Sequence, residues 1–265
     1  MPVSPPSALE VRPAEASDID SIVDLLVSAP DDATLYQYPD LSDHPEALAP
    51  MQRAWVRGLL QDPNSLTRIA VLDSNNVVGF SSWVRRAPNP DDPGSLQRVK
   101  ISEPLILDAE ENQDNIAPMP SVQPDKARAD AIARVRERLS RTSPIQSLPR
   151  YSLQGLGVHA SHQGRGIGTL LVRWGLEQAA AEGVPVSTAG EARGVRFYTS
   201  EALGFRVVKG SEWRLDRSGQ NIDEHDVEKD GSQAWGSACG GASGAQVVWL
   251  PPGLSLDIGG VVYLG

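Results

Sequence analysis

The stretch Gln163, Gly164, Arg165, Gly166, Ile167, Gly168, Thr169 constrains this chain more than any other, because of what lies on either side of it. Tyr151 to Val158 reads as a strand, and Ile167, Leu170, Leu171 and Trp174 recur at helical spacing in a helix from Gly166 to Glu182, closed by Gly183. Val184 to Thr188 reads as a further strand. A strand that turns through glycines into a helix leaves backbone N–H groups unpaired at the positive end of the helix dipole. Glycines there let a phosphate approach without meeting a Cβ. The segment is therefore expected to hold a pyrophosphate. On the glycines alone, an ordinary Gly-rich turn into a helix stays open as the alternative.

Context separates the nucleotide folds. A dinucleotide fold places its Gly-rich turn after the first strand, whereas this turn follows at least three predicted strands. A P-loop needs Lys and then Ser or Thr after its last glycine, and Gly168 is followed by Thr169 and Leu170.

The rest of the chain reads as one mixed α/β domain over residues 1–265, with its core at about 9–83 and 150–250 and an insertion at about 85–148. Leu9 to Arg12 reads as a strand, and Ser17 as the cap of a helix carrying Ile19, Ile22, Val23 and Leu26. Ala29 to His44, broken by Pro30 and Pro39, reads as a loop, and Pro45 to Gln61 as a helix with Leu48, Met51, Trp55, Leu59 and Leu60 on one side. Arg68 to Leu72 and Val77 to Trp83 flank the turn-forming Asp73 to Asn76 and predict a hairpin. Beyond Arg86, Pro88, Pro90, Pro93 and the acidic run from Asp108 to Asp114 predict an irregular excursion. A helix from Asp125 to Arg141 closes it, with Ala131, Ile132, Val135 and Leu139 as its apolar stripe and an arginine-rich face that is solvated or meets phosphate. Gly194 to Ala202 is expected as a short helix, Phe205 to Trp213 and Gln246 to Leu250 as strands, and Arg217 to Gly244 as a loose loop.

Composition narrows the function classes. The net charge of −10 argues against non-specific binding to nucleic acid or anionic membrane, and favours a cationic or neutral acceptor. Cys239 is the only cysteine, so an internal disulfide and a cysteine-based zinc cluster are excluded, and no metal site is expected. The longest apolar runs, Ile69 to Leu72 and Val247 to Leu250, are far shorter than a membrane span. Met1 to Ala8 lacks the basic start and apolar stretch of a signal peptide, so a cytoplasmic location is the expectation.

Gln163, Gly166 and Gly168 fit the acetyl-CoA motif of the GCN5-related N-acetyltransferase (GNAT) family, which the chain resembles. The likeness continues in Leu156-Gly157-Val158, Phe197-Tyr198, Leu203-Gly204-Phe205, the opening Val11 to Ala14 with Asp18, and Val77 to Trp83 with Gly79. The long insertion resembles those of fungal members. The resemblance implies a mixed, mostly antiparallel sheet flanked by helices and splayed between its fourth and fifth strands. It implies acetyl-CoA as cosubstrate, with Leu156 and Val158 along the pantetheine arm and Gln163, Gly164, Arg165, Gly166, Ile167, Gly168 and Thr169 around the pyrophosphate.

It also implies an N-acetyltransferase in which an amine attacks the thioester directly, helped by a base and an acid. Tyr198 is the implied acid. The spacing from Tyr198 to Gly204 is longer than the family pattern, however, and counting back from Gly204 puts Ser200 in the tyrosine's place. The fifth strand offers Ser187 and Thr188 where many relatives carry a carboxylate, which leaves Glu191 and His159 as candidate bases and His162 as a loop residue. Tyr36, Gln37 and Tyr38 are candidates for the acceptor pocket, and a small-molecule amine is the first expectation. A non-catalytic acetyl-CoA or acyl-CoA binding module is the alternative.

Overall fold

The computed structural model describes residues 9–73, 76–92, 95–101, 122–143, 145, 147–220, 241–258 and 261–265. The acidic run from Asp108 to Asp114, most of the loose loop with Cys239, the hairpin residues Ser74 and Asn75, Pro93 and the first eight residues lie outside them.

Alternating and β-branched sequences build one half of the sheet. β1 (Leu9–Pro13) pairs antiparallel with β2 (Ser65–Leu72), and β2 with β3 (Asn76–Pro88), the predicted hairpin extended at both strands. The pleat sends Ile69 and Phe80 to one face, where α1 (Ile19–Ser28) and α3 (Leu48–Gln61) bury them with Ile22, Val23, Leu25, Val56 and Leu60. Trp83, on the opposite face, lies beneath α5 (Ile167–Glu182). Gly175 of that helix leaves room for the indole, since a Cβ there would stand 2.3 Å from Trp83 Cη2.

Among the described residues the strand order is β1-β2-β3-β5-β6-β9-β7, with β5 (Arg150–Val158), β6 (Val186–Glu191), β7 (Arg206–Val207) and β9 (Ala242–Trp249). β4 (Leu96–Val99) joins at β3 and β8 (Trp213–Leu215) at β9. All pairings are antiparallel except β5 with β6, so the sheet is mixed and mostly antiparallel, as expected. β10 (Ser255–Ile258) and β11 (Val261–Leu264) form a separate hairpin in the tail. A second core joins Leu153, Val172, Leu176, Val186, Phe205 and Val247 between the sheet and α5. Among the described residues, no helix is long and apolar enough to cross a membrane.

Several expectations are corrected. Ser17 does not cap α1, because residues 16–18 form a 3₁₀ turn and Asp18 instead accepts from Glu15 N at 2.7 Å and pairs with Arg12 at 2.8 Å. The predicted loop at 29–44 contains α2 (Asp32–Gln37), whose cap Asp31 accepts from Thr34 N at 2.8 Å. On α3 the buried positions are Leu48, Gln52, Val56 and Leu60, a strict four-residue spacing, so Trp55 falls on the shoulder of the helix and stays 39% exposed. The excursion begins as a β3–β4 hairpin rather than irregular chain. The short helix α6 (Ala192–Tyr198) starts earlier than predicted, and the strand expected at 205–213 is split between β7 and β8.

The insertion helix, α4 (Lys126–Thr142), buries its expected stripe of Ala131, Ile132, Val135 and Leu139 against Tyr36, Trp213, Leu215 and Ala242. Its arginines fasten neighbouring backbone: Arg128 donates to Arg217 O (2.7 Å), Arg134 to Gly219 O (3.4 Å) and Arg138 to Glu212 O (3.0 Å).

Candidate functional site

β5 and β6 pair at only two positions, Tyr151 with Val186 and Ser152 with Ser187, and then part. A bulge at Gln154 bends β5 at this point, since Leu153 faces Trp83 and Gly155 faces Ser82 of β3 with Gln154 unmatched between them. β6 leaves in the other direction along β9. The result is a fork in the middle of the sheet, at the splay expected between the fourth and fifth strands of the core.

Hydroxyls gather at its apex. Ser152 and Ser187 lie 3.2 Å apart, and Thr188 Oγ1 donates to Leu153 O at 3.1 Å. The Tyr198 phenol is buried beside Thr188. Burial drives its pKa far above the ordinary phenol range, the Thr188 hydroxyl works against this, and the charge of Glu191 adds to it. The longer spacing to Gly204 is absorbed in a turn after α6, where Gly204 N donates to Ser200 O (2.9 Å) and Phe205 N to Tyr198 O (3.1 Å). Tyr198, not Ser200, is therefore the helical residue packed against the fork.

The Gly-rich loop lies at the open end of β5. Gly164 and Gly166 have φ of 75° and 80°, the left-handed region that L side chains disfavour. Gly166 caps α5 without any side-chain acceptor, and the helix ladder begins with Leu170 N donating to Gly166 O at 3.0 Å. The amides of Ile167, Gly168 and Thr169 precede that ladder, as an anion at a helix start requires. Gln163 braces the loop by donating to Val158 O (3.1 Å) and accepting from Arg193 of α6. Arg165 donates to Ser161 O at 3.1 Å, back within its own turn. Leu156 and Val158 pack their side chains on Ile167 and Leu171, and Gly168 is pressed by Phe197, which a Cβ would meet at 3.2 Å.

Glu191 ends β6 on the opposite prong. Its Oε2 accepts from Asp32 N at 2.8 Å and its Oε1 from Ala33 N at 2.6 Å, so it holds the start of α2. Burial pushes its carboxyl up to about 8, helped by the charges of Asp31 and Asp32 and opposed by the two amides. His159 lies at the far end of β5, with Nδ1 2.9 Å from Ser161 Oγ, and belongs to the loop rather than the apex. The fork thus brings Tyr198 and Glu191 within electrostatic reach of one another and leaves His159 apart.

The three candidate acceptor residues pack elsewhere. Tyr36 donates to Asp216 O at 2.6 Å beneath α4, Gln37 donates to Ala33 O at 2.9 Å, and Tyr38 lies against Leu41, Ala47 and Leu48. The α3 side of β5 instead carries Trp55, whose indole stacks edge-on to Phe80 (6.0 Å between centroids, 79°) and covers Gly155 so closely that a Cβ there would lie 2.7 Å from it. Sequence reading missed Trp55, Gln154 and Arg193. Only Trp55 left a signal, as a large aromatic one position from the strict four-residue stripe.

Residues 127–205 match the family model described as "Acetyltransferase (GNAT) family". Among solved structures the chain is similar to a histone acetyltransferase HPA2 and related acetyltransferase from Corynebacterium glutamicum, at 17% identity over 93% of this chain and 98% of that one, with a TM-score of 0.45. It is also similar to an N-acetyltransferase from Staphylococcus aureus Mu50 (12%, 92% and 99%, 0.46). A third is Arabidopsis thaliana NAA60 in complex with a bisubstrate analogue (12%, 93% and 100%, 0.45). No curated protein matches the sequence.

Proposed function

We propose that this chain, whose residues 127–205 match the GNAT acetyltransferase family model, is an acetyltransferase of that kind and moves an acetyl group from acetyl-CoA to a small-molecule amine. The observation that carries the reading is the fork: two parallel strands that pair at two positions and part beside a helix start with no side-chain cap. The pantetheine arm would lie along β5 at Leu156 and Val158, and the pyrophosphate on the backbone from Gln163 to Thr169. The uncapped amides and the two left-handed glycines suit that group.

The acceptor then approaches from the α3 face, between Trp55 and the start of α2. Asp31 and Asp32 favour a cationic amine there, and Trp55 supplies an apolar wall. The amine nitrogen attacks the thioester carbon, a C–N bond forms and the C–S bond breaks. Glu191 takes a proton from the ammonium to free the lone pair for attack, the Tyr198 phenol gives a proton to the departing thiolate, and the second proton lost from the acylated nitrogen restores the phenol. Because Glu191 ionises at about 8, the competent base form accumulates as the pH rises to that value.

Calorimetric titration with acetyl-CoA is the test, followed by an amine panel read as CoA release. Micromolar binding with amine-dependent release is the expected result. Binding without release from any amine would point to a non-catalytic acyl-CoA module, and absence of binding would end the reading.

A further inference from the structure

The strand registers place three arginines in one row. Arg98 of β4 lies opposite Arg86 of β3, and Arg86 lies opposite Arg150 of β5. Directly opposed residues project from the same face of a sheet, so the three guanidiniums share one face. The neighbouring row, Arg85 and Tyr151, projects from the other face and binds Glu182 of α5.

Like charges directly opposite one another destabilise a sheet, and the three arginines differ in how they are held. Arg98 pairs with Asp62 at 2.5 Å. Arg150 is 4% exposed and gives Nη1 to two neutral carbonyls, Ile145 O at 2.9 Å and Leu148 O at 3.2 Å. Arg86, half-buried between them, has no carboxylate or carbonyl partner among the described residues. Burial and the charge of Arg98 hold its pKa below the ordinary arginine value, and burial and Arg86 lower that of Arg150 to about 10.

We propose that the Arg98–Arg86–Arg150 row is a binding site for a small oxyanion, a phosphate monoester or a carboxylate, with Arg86 as its central ligand. A planar guanidinium offers paired N–H donors matched to both oxyanions. An oxyanion bound there would also offset the like-charge contacts of Arg86 with Arg98 and Arg150. The site lies at the start of β5, whereas the acetyl-CoA loop follows its end, and it does not depend on the acyl-transfer reading.

The test is thermal unfolding of the whole chain in chloride buffer, with inorganic phosphate or succinate added at constant ionic strength. The expected result is a saturable rise in Tm with at least one anion, and the arm that responds at lower concentration identifies the class. Arg86→Gln should weaken that response about tenfold or more, the loss of one charged hydrogen-bonding partner, while leaving Tm in chloride alone unchanged or raised. Arg86→Lys keeps the charge without the fork and should show an intermediate response. Acetyl-CoA affinity should be the same in Arg86→Gln as in the parent chain. The proposal is overturned by no saturable shift with either anion, by a shift that survives Arg86→Gln, or by loss of acetyl-CoA affinity in that variant.

Discussion

Replacing Glu191 by glutamine should remove one component of the protein's pH dependence, a loss of stability as the pH rises from 4.5 towards 8. The carboxyl is pushed from its ordinary 4.5 up to about 8. Between those values the folded protein holds a proton that the unfolded chain has already released. Stability from this group is therefore fully present below pH 4.5 and declines as the pH rises towards 8. At ~1.4 kcal/mol per pH unit, the span from 4.5 to about 8 sets a ceiling of about 5 kcal/mol. Glutamine cannot ionise, but it turns an NH₂ towards one of the two amides that Glu191 satisfies, and losing that hydrogen bond costs about 1–2 kcal/mol. The two stability curves should cross: Glu191→Gln is the weaker protein at pH 5 and the stronger at pH 8.5. Urea unfolding at half-unit pH steps and fixed ionic strength reads this directly. Parallel curves for parent and variant would refute the argument, because they would mean that Glu191 ionises alike in both states.

Tyr198→Phe removes the phenolic proton beside Thr188 and is expected to lower kcat by about 100-fold or more, with acetyl-CoA affinity retained. An unchanged kcat across pH would take the acid role from this residue. Gly175→Ala places a methyl 2.3 Å from the Trp83 indole, which is fully buried. The overpacking of about 1–3 kcal/mol outweighs the helix propensity gained, so Tm should fall by several degrees, and a rise in Tm would contradict the packing described here.

What could be read from the sequence follows the range of the forces involved. α5 was legible because both ends are written locally, in Gly166 and Gly183, and its apolar spacing is dense between them. The β2–β3 hairpin was legible from β-branched and apolar residues on either side of a polar turn. α2 was not, because its six residues carry a mixed pattern and its first amides are held by Glu191, far away in sequence. The β3–β4 hairpin was hidden because arginines, glutamine and proline occupy strand positions where alternation gives no signal. In the site, the Gly-rich loop announced itself through backbone conformations that glycine permits. The orientation of Tyr198 depended on how a turn absorbs extra residues, and the arginine row exists only once three strands have taken their register.

Most sheets keep their unpaired edges at the rim, where another chain can add a strand and start aggregation. This sheet also has an edge in its interior, since past Ser152 the backbone of β5 has β3 on one side and, among the described residues, no strand on the other. The diverging prongs leave a wedge, narrow at the hydroxyl-lined apex, that suits a single thin extended molecule better than a pleated strand. A ligand carrying amides along such a slot would act as a temporary strand. Its binding would register as slowed hydrogen exchange along Gln154 to Val158, a structural signature that does not depend on the chemistry that follows.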